Sequence, residues 1–159
     1  MASLERLFTI VFENVTVAAL QDLFALKAGT TNGIMIRRIS LSAGGVTAPA
    51  EMRLRLKRMP VTVTIGSGGS APTIQKVSSL LSYASLNANA RVNDTTQATT
   101  SGTAQIIANW QWNVLQDFLE VPPTEEERWE CTLSEALIVD FAAAPASTAM
   151  SGFIVWEET

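Results

Sequence analysis

The chain has no histidine and one cysteine among its 159 residues. Without an imidazole there can be no Ser–His–Asp or Cys–His nucleophile. Cys131 has no second cysteine to pair with, so an internal disulfide is excluded, and the thiol reads as a small buried hydrophobe. Charge is also scarce. Lys, Arg, Asp and Glu make up 16% of the chain and apolar residues 47%, the reverse of the balance that keeps a chain disordered. No run of about eighteen uninterrupted apolar residues occurs, so no membrane span is expected. Nor does the N-terminus read as a signal peptide: Glu5 and Glu13 flank its short apolar run, and Arg6 lies within that segment rather than ahead of it. A protein made and used, or assembled, inside a cell is expected. The length suits a single domain, 1–159, with a real core.

What is present is β-texture. Segments rich in Val, Ile, Thr, Phe and Leu alternate with turn signals at short intervals, which predicts an all-β sandwich or barrel rather than βαβ units. Residues 4–13 read as a first strand, apolar on both faces. Residues 20–27 fit a strand or a short helix, and the surrounding pattern favours strand. Asn32-Gly33 marks a turn. In residues 34–42 the parity of apolar positions is mixed, which predicts a β-bulge near Arg37 and Arg38. Residues 50–58 alternate strictly, with Met52, Leu54 and Leu56 inward and Glu51, Arg53, Arg55 and Lys57 outward. Residues 61–65 form a short strand, 66–72 (GSGGSAP) a mobile loop, and 74–86 either a short helix or an extended crossing. Residues 87–94 read as a strand and 95–103 as a polar loop. Strands at 104–112 and 114–119, an acidic loop at 122–128 and three closing strands complete the count. The expectation is an all-β, jelly-roll-like antiparallel β-sandwich of about eight to ten strands.

The charges are segregated. Residues 1–91 hold ten Lys or Arg against four acids, a balance of +6; residues 92–159 hold Arg128 against eleven acids, a balance of −10. This pattern fits a nucleic-acid or membrane contact, halves that pair within the fold, or copies that pair with one another. The net charge of −4 weighs against nucleic acid.

Candidate sites are few. Cupins share the jelly-roll shape but need His ligands for their metal, which this chain lacks. A carboxylate pair drawn from Asp117, Glu120, Glu125, Glu126, Glu127, Glu130, Glu135 and Asp140 could hydrolyse a glycoside, against the plainer reading of solvated acids. Glu125, Glu126 and Glu127 could gather Ca²⁺, but they lack the spacing and central glycine of an EF-hand, so a solvated loop or a contact to a basic partner is preferred and no metal is assigned. Arg53, Arg55 and Lys57 share one strand face. No aromatic residues interleave with them, so stacking on single-stranded nucleic acid is unsupported; edge protection or a contact with an acidic neighbour fits better. Trp110 and Trp112, two apart, share a face and belong either to the core or to an interface.

The order of features ARVNDTT, WQWNVLQDFLEVPPTEEERWE, SEALIVDFAAAPA and SGFIVWEE, with NVTVAALQDLFAL and GIMIRRISLS before them, resembles the small structural proteins of tailed-bacteriophage particles, of the head-decoration type. The resemblance runs over most of the chain and is weakest at 74–86. It implies a β-sandwich with no reaction to perform and no cofactor, a homo-oligomer (a trimer) on the outer capsid surface, and the major capsid protein as partner, with assembly in the host cytoplasm. A tail or adsorption component, with carbohydrate as a candidate ligand, is the alternative. The interface candidates are Arg53, Arg55, Lys57, Trp110, Trp112, Glu125, Glu126 and Glu127; neither nucleic acid nor a membrane is expected as a partner.

Overall fold

Alternation of apolar and charged residues directs a strand with one buried face, and the computed structural model makes a strand of the stretch that alternates best. The structure describes residues 6–80, 83–85 and 88–159. Among these are thirteen strands and no helix: β1 (Leu7–Val17), β2 (Asp22–Lys27), β3 (Ile34–Gly44), β4 (Glu51–Met59), β5 (Val63–Thr64), β6 (Gln75–Lys76), β7 (Asn89–Asp94), β8 (Thr99–Thr100), β9 (Gln105–Asn113), β10 (Phe118–Glu120), β11 (Glu130–Cys131), β12 (Ala136–Phe141) and β13 (Thr148–Glu158). Eight have six or more residues. The other five have two or three, too short to leave a period in the sequence.

The strands form two main antiparallel sheets. In the first the order is β10-β3-β13-β1-β6, with β11 also beside β3; in the second it is β7-β2-β12-β4-β9; β5 and β8 form a separate pair. The long pairings nest like one folded hairpin. β1 pairs with β13, β2 with β12, β3 with β10 and β11, and β4 with β9. The chain changes sheet at β1→β2, β2→β3 and β3→β4, and again on the return. The two sheets pack face to face. Phe12 of β1 meets Phe24 of β2 with ring centroids 5.2 Å apart, and Trp112 of β9 meets Phe118 of β10 at 6.4 Å. Phe8, Ile10, Ile39, Leu41, Leu54, Leu56, Val139, Phe141, Ile154 and Trp156 fill the space between, each large side chain contributing about 1.5–3 kcal/mol over exposure.

Residues 22–27 are strand, with both faces of β2 buried in the second sheet. The bulge is at Arg37: Val155 pairs with Arg38 and Trp156 with Ile36. One extra residue moves the buried parity from Ile34 and Ile36 to Ile39 and Leu41. The first strand begins at Leu7; residues 4 and 5 of its expected range lie outside the described residues, as does Asn87 of the 87–94 segment.

The helical option for 74–86 is not taken in its described part. Gln75 and Lys76 pair with Thr9 and Phe8 at the edge of β1, and the Val77 N–H donates to the Leu7 carbonyl at 3.0 Å. Val77 and Leu80, inward on a helix, are exposed; residues 81, 82 and 86 lie outside the described residues.

The glycine-rich segment 66–70 is not a mobile loop. Ser67 exchanges main-chain hydrogen bonds with Thr96, and Ser70 with Val92, at 2.9–3.0 Å. A Cβ on Gly69 would lie 2.1 Å from the Val92 carbonyl oxygen, so this glycine serves close backbone approach rather than flexibility. The 95–103 segment is likewise built in: Ala98 is buried and Thr99–Thr100 is β8.

Candidate interaction surface

The two outer faces of the sandwich are treated differently by the chain. Over the second sheet lies a cover made of β5, β8 and the segments around them. Its underside is apolar, with Ala25, Met59, Val63, Ala98, Ala136 and Ile138 packed together. Its fastening is a set of hydrogen bonds from neutral donors to buried carboxylates of the sheet. In register across the sheet stand Asp94, Asp22, Asp140, Arg55 and Asn109, one on each of β7, β2, β12, β4 and β9. Asp22, Asp94 and Asp140 are all buried.

Asp140 carries the cations. Arg55 Nε and Nη2 donate to its two oxygens at 2.9 and 2.7 Å, and Lys57 Nζ lies 2.6 Å from Oδ2. Asp94 is held by Arg91 at 2.7 and 2.8 Å and accepts the Gly69 N–H at 3.0 Å. Asp22 has no direct cation among the described residues; the Ala98 N–H donates to it at 2.7 Å. Gln97 Nε2 donates to both Asp22, at 3.3 Å, and Asp140, at 3.2 Å. Burial raises the Asp22 pKa; the Ala98 N–H and Lys57 pull it down, and Asp140 pushes it up.

Of the basic strand face, Arg55 and Lys57 are therefore turned to an acid of the same chain, while Arg53 is exposed. The segregated charges meet inside the fold in the same way elsewhere: Arg37 pairs with Glu157, its Nε donating at 2.9 Å, and lies 3.9 Å from Glu125. Nesting of the first half onto the second brings the basic and acidic halves together.

The tryptophans divide. Trp112 is buried, nearly parallel to Phe141 at 6.4 Å, and its Nε1–H donates to the Gln116 carbonyl at 2.6 Å. Trp110 is partly buried, edge-on to Phe118 at 5.5 Å and to Trp129 at 5.4 Å. Glu125, Glu126 and Glu127 are exposed. Arg128 donates to Glu125 at 2.8 Å and holds its carboxyl below the usual range, and Glu127 accepts the Thr124 hydroxyl at 3.2 Å. Among the described residues no three acids or cysteines come together in a way that could hold a metal ion. A hollow of about 750 Å³ at one end of the sandwich lies between loops 44–50 and 142–147 and has Glu51 and Arg53 as its ionisable lining residues. No two carboxylates converge in it.

Among the described residues, none forms such a cover over the centre of the first sheet's outer face. Because Phe8, Ile10, Phe12, Ile39, Leu41, Ile154 and Trp156 point inward, period-two alternation turns their neighbours outward. Register then assembles three rows. Val11, Phe153, Ser40 and Leu119 form the middle one, across β1, β13, β3 and β10. Thr9, Val155 and Arg38 lie on one side. On the other, Ser151 pairs with Ser42, and Glu13 and Asp117 line the same shallow hollow. Leu119 is 60% exposed and Val11 47%.

None of these residues was an interface candidate in the sequence. The signal for them was present as the mixed parity at 34–42, which is what sets Arg38 on this face. Comparison with protein-family models, with curated proteins and with solved structures finds no match for the chain.

Proposed function

We propose that this chain is a structural protein of a tailed-bacteriophage particle, a head-decoration protein that works by contact rather than by a reaction. The observation that carries this reading is the contrast between the two outer faces: over the second sheet the chain lays its own cover on β2 and β12, while the first leaves Val11 and Leu119 exposed, and Phe153 and Val155 partly exposed, in one patch. Contiguous exposed apolar surface on a β-sandwich is a mark of association. The order of sequence features supplies the virion part of the reading. The nested pairing supports the jelly-roll form: wrapping one long hairpin produces this alternation of partners between two sheets.

In this reading the partners are further copies of the chain and the subunits of the capsid shell, and the place is the outer capsid surface. Apolar burial supplies the affinity and charge sets the register. Quantitative mass spectrometry of purified particles tests it. A copy number comparable to the major shell protein supports lattice decoration, and a small fraction of it moves the chain to the tail. Absence from particles rejects the virion reading. Heads lacking the chain should also lose resistance to heating.

A further inference from the structure

We propose that the open face of the first sheet is a two-fold self-association surface, on which a second copy seats with its strands reversed. This rests on the self-association proposed above, and it sets a two-fold pair where the resemblance implies a trimer. The area is sufficient. β1, β3 and β13 have 11 residues each, which at about 3.4 Å per residue span roughly 37 Å and at about 4.8 Å per strand cover some 14 Å, and the three residues of β10 add about 50 Å². The face thus offers on the order of 600 Å² per partner, at the lower end of a standard interface.

The charges select the geometry. Arg38, Glu13 and Asp117 are exposed, and none has an ion pair among the described residues. Arg38 stands two residues to one side of the apolar row, and Asp117 lies beside Ser42, on the other. Arg37 and Arg128, which line one hollow with Arg38, are already paired with Glu157 and Glu125. Two sheets packed face to face can be related by a two-fold axis lying in the interface. If the axis runs along the strands, each acidic end meets the acidic end of its partner, setting Asp117 near Glu13. If it runs across the strands, along the row Val11-Phe153-Ser40-Leu119, the ends exchange. Arg38 of each copy then lies over Ser42 and Asp117 of the other, and the apolar row packs on itself. Only the second arrangement satisfies the charges, and it does so twice, as an isologous contact requires. Sheets stacked in this way keep their strands within about 30° of alignment.

The experiment is sedimentation velocity on the full chain with two charge reversals, Arg38→Glu and Asp117→Lys. Wild type should run as a dimer. Each variant alone should associate at least about tenfold more weakly, because reversal sets like charges together at both contacts. Mixed in equal amounts, the two variants should pair with each other nearly as tightly as wild type. At one contact the introduced carboxylate then faces the introduced ammonium, and at the other the native Arg38 and Asp117 still meet. Circular dichroism melts verify that each is folded. If either variant fails to fold, Leu119→Asp, on the axis itself, takes its place and must abolish the dimer. A monomeric wild type, a trimer indifferent to these substitutions, or a mixture no tighter than the separate variants overturns the proposal. A chain that pairs in this way but is absent from particles would remove the virion reading and leave this one standing. A particle-borne chain whose assembly ignores Arg38 and Asp117 would do the reverse.

Discussion

Asp22 and Asp140 face each other across neighbouring strands with the Gln97 amide between them, and among the described residues only Asp140 has cations of its own. Asp140 is neutralised by Arg55 and Lys57, whereas Asp22 relies on one main-chain N–H and one amide. Two chemically identical side chains are therefore satisfied in different ways, one by cations and one by neutral donors.

Burial raises the pKa of Asp22 in the folded state above its value of 3.8. The folded protein then holds this proton more tightly than the unfolded one, and stability falls as pH rises through the interval between the two values. Asp22→Asn keeps an acceptor for the Ala98 N–H and removes the charge. Because the new amide also meets the Gln97 amide that donates to Asp22, the pH trend is the check: the stability of the variant relative to wild type should rise from pH 4 to pH 7. Urea titrations at pH 7 and pH 4 check it.

Asp140→Asn should destabilise the protein. It leaves Arg55 and Lys57, both largely covered, without their counter-charge. Breaking one side of a buried ion pair costs about 3 kcal/mol. Thermal melts should show a clear loss of Tm at pH 7, larger than for any single reversal of Glu125, Glu126 or Glu127, which are exposed.

Gly69→Ala tests whether the 66–70 segment is a packed part of the cover. Its new Cβ would sit 2.1 Å from the Val92 carbonyl oxygen and 2.5 Å from Asn93. A cost of about 2 kcal/mol is expected in urea denaturation. A free loop would tolerate the change.

Val61 has φ 65°, a left-handed conformation on a β-branched residue, and is exposed. Asn tolerates that region better than Val does and adds no glycine entropy to the unfolded chain. Val61→Asn should raise stability by about 1 kcal/mol, read as a higher urea midpoint with an unchanged slope.

The buried Cys131 thiol is pushed up to about 12, mainly by desolvation. Its thiolate is almost unpopulated at pH 8. Native protein should resist iodoacetamide at that pH and react promptly in denaturant, with alkylation followed by mass spectrometry.

The sequence by itself determined the strand character of the chain and the inward faces of its best alternating segments. It also located the bulge at Arg37 and Arg38 and barred any His-dependent site. All of these follow from residues a few positions apart, because a strand's period of two is local and an absent side chain needs no geometry. The tertiary structure alone decided what lies opposite what. Arg55 and Lys57 read as an outward basic face, as alternation required. Their use was set by Asp140, some 85 positions away, through the pairing of β12 with β4. The polar segment 95–103 became part of a cover for the same reason: Gln97 and Ala98 find their partners on β2 and β12. Val11, Phe153, Ser40 and Leu119 belong to four strands spread from β1 to β13. No periodicity within one segment can announce a row whose members are joined only by hydrogen bonds between distant strands.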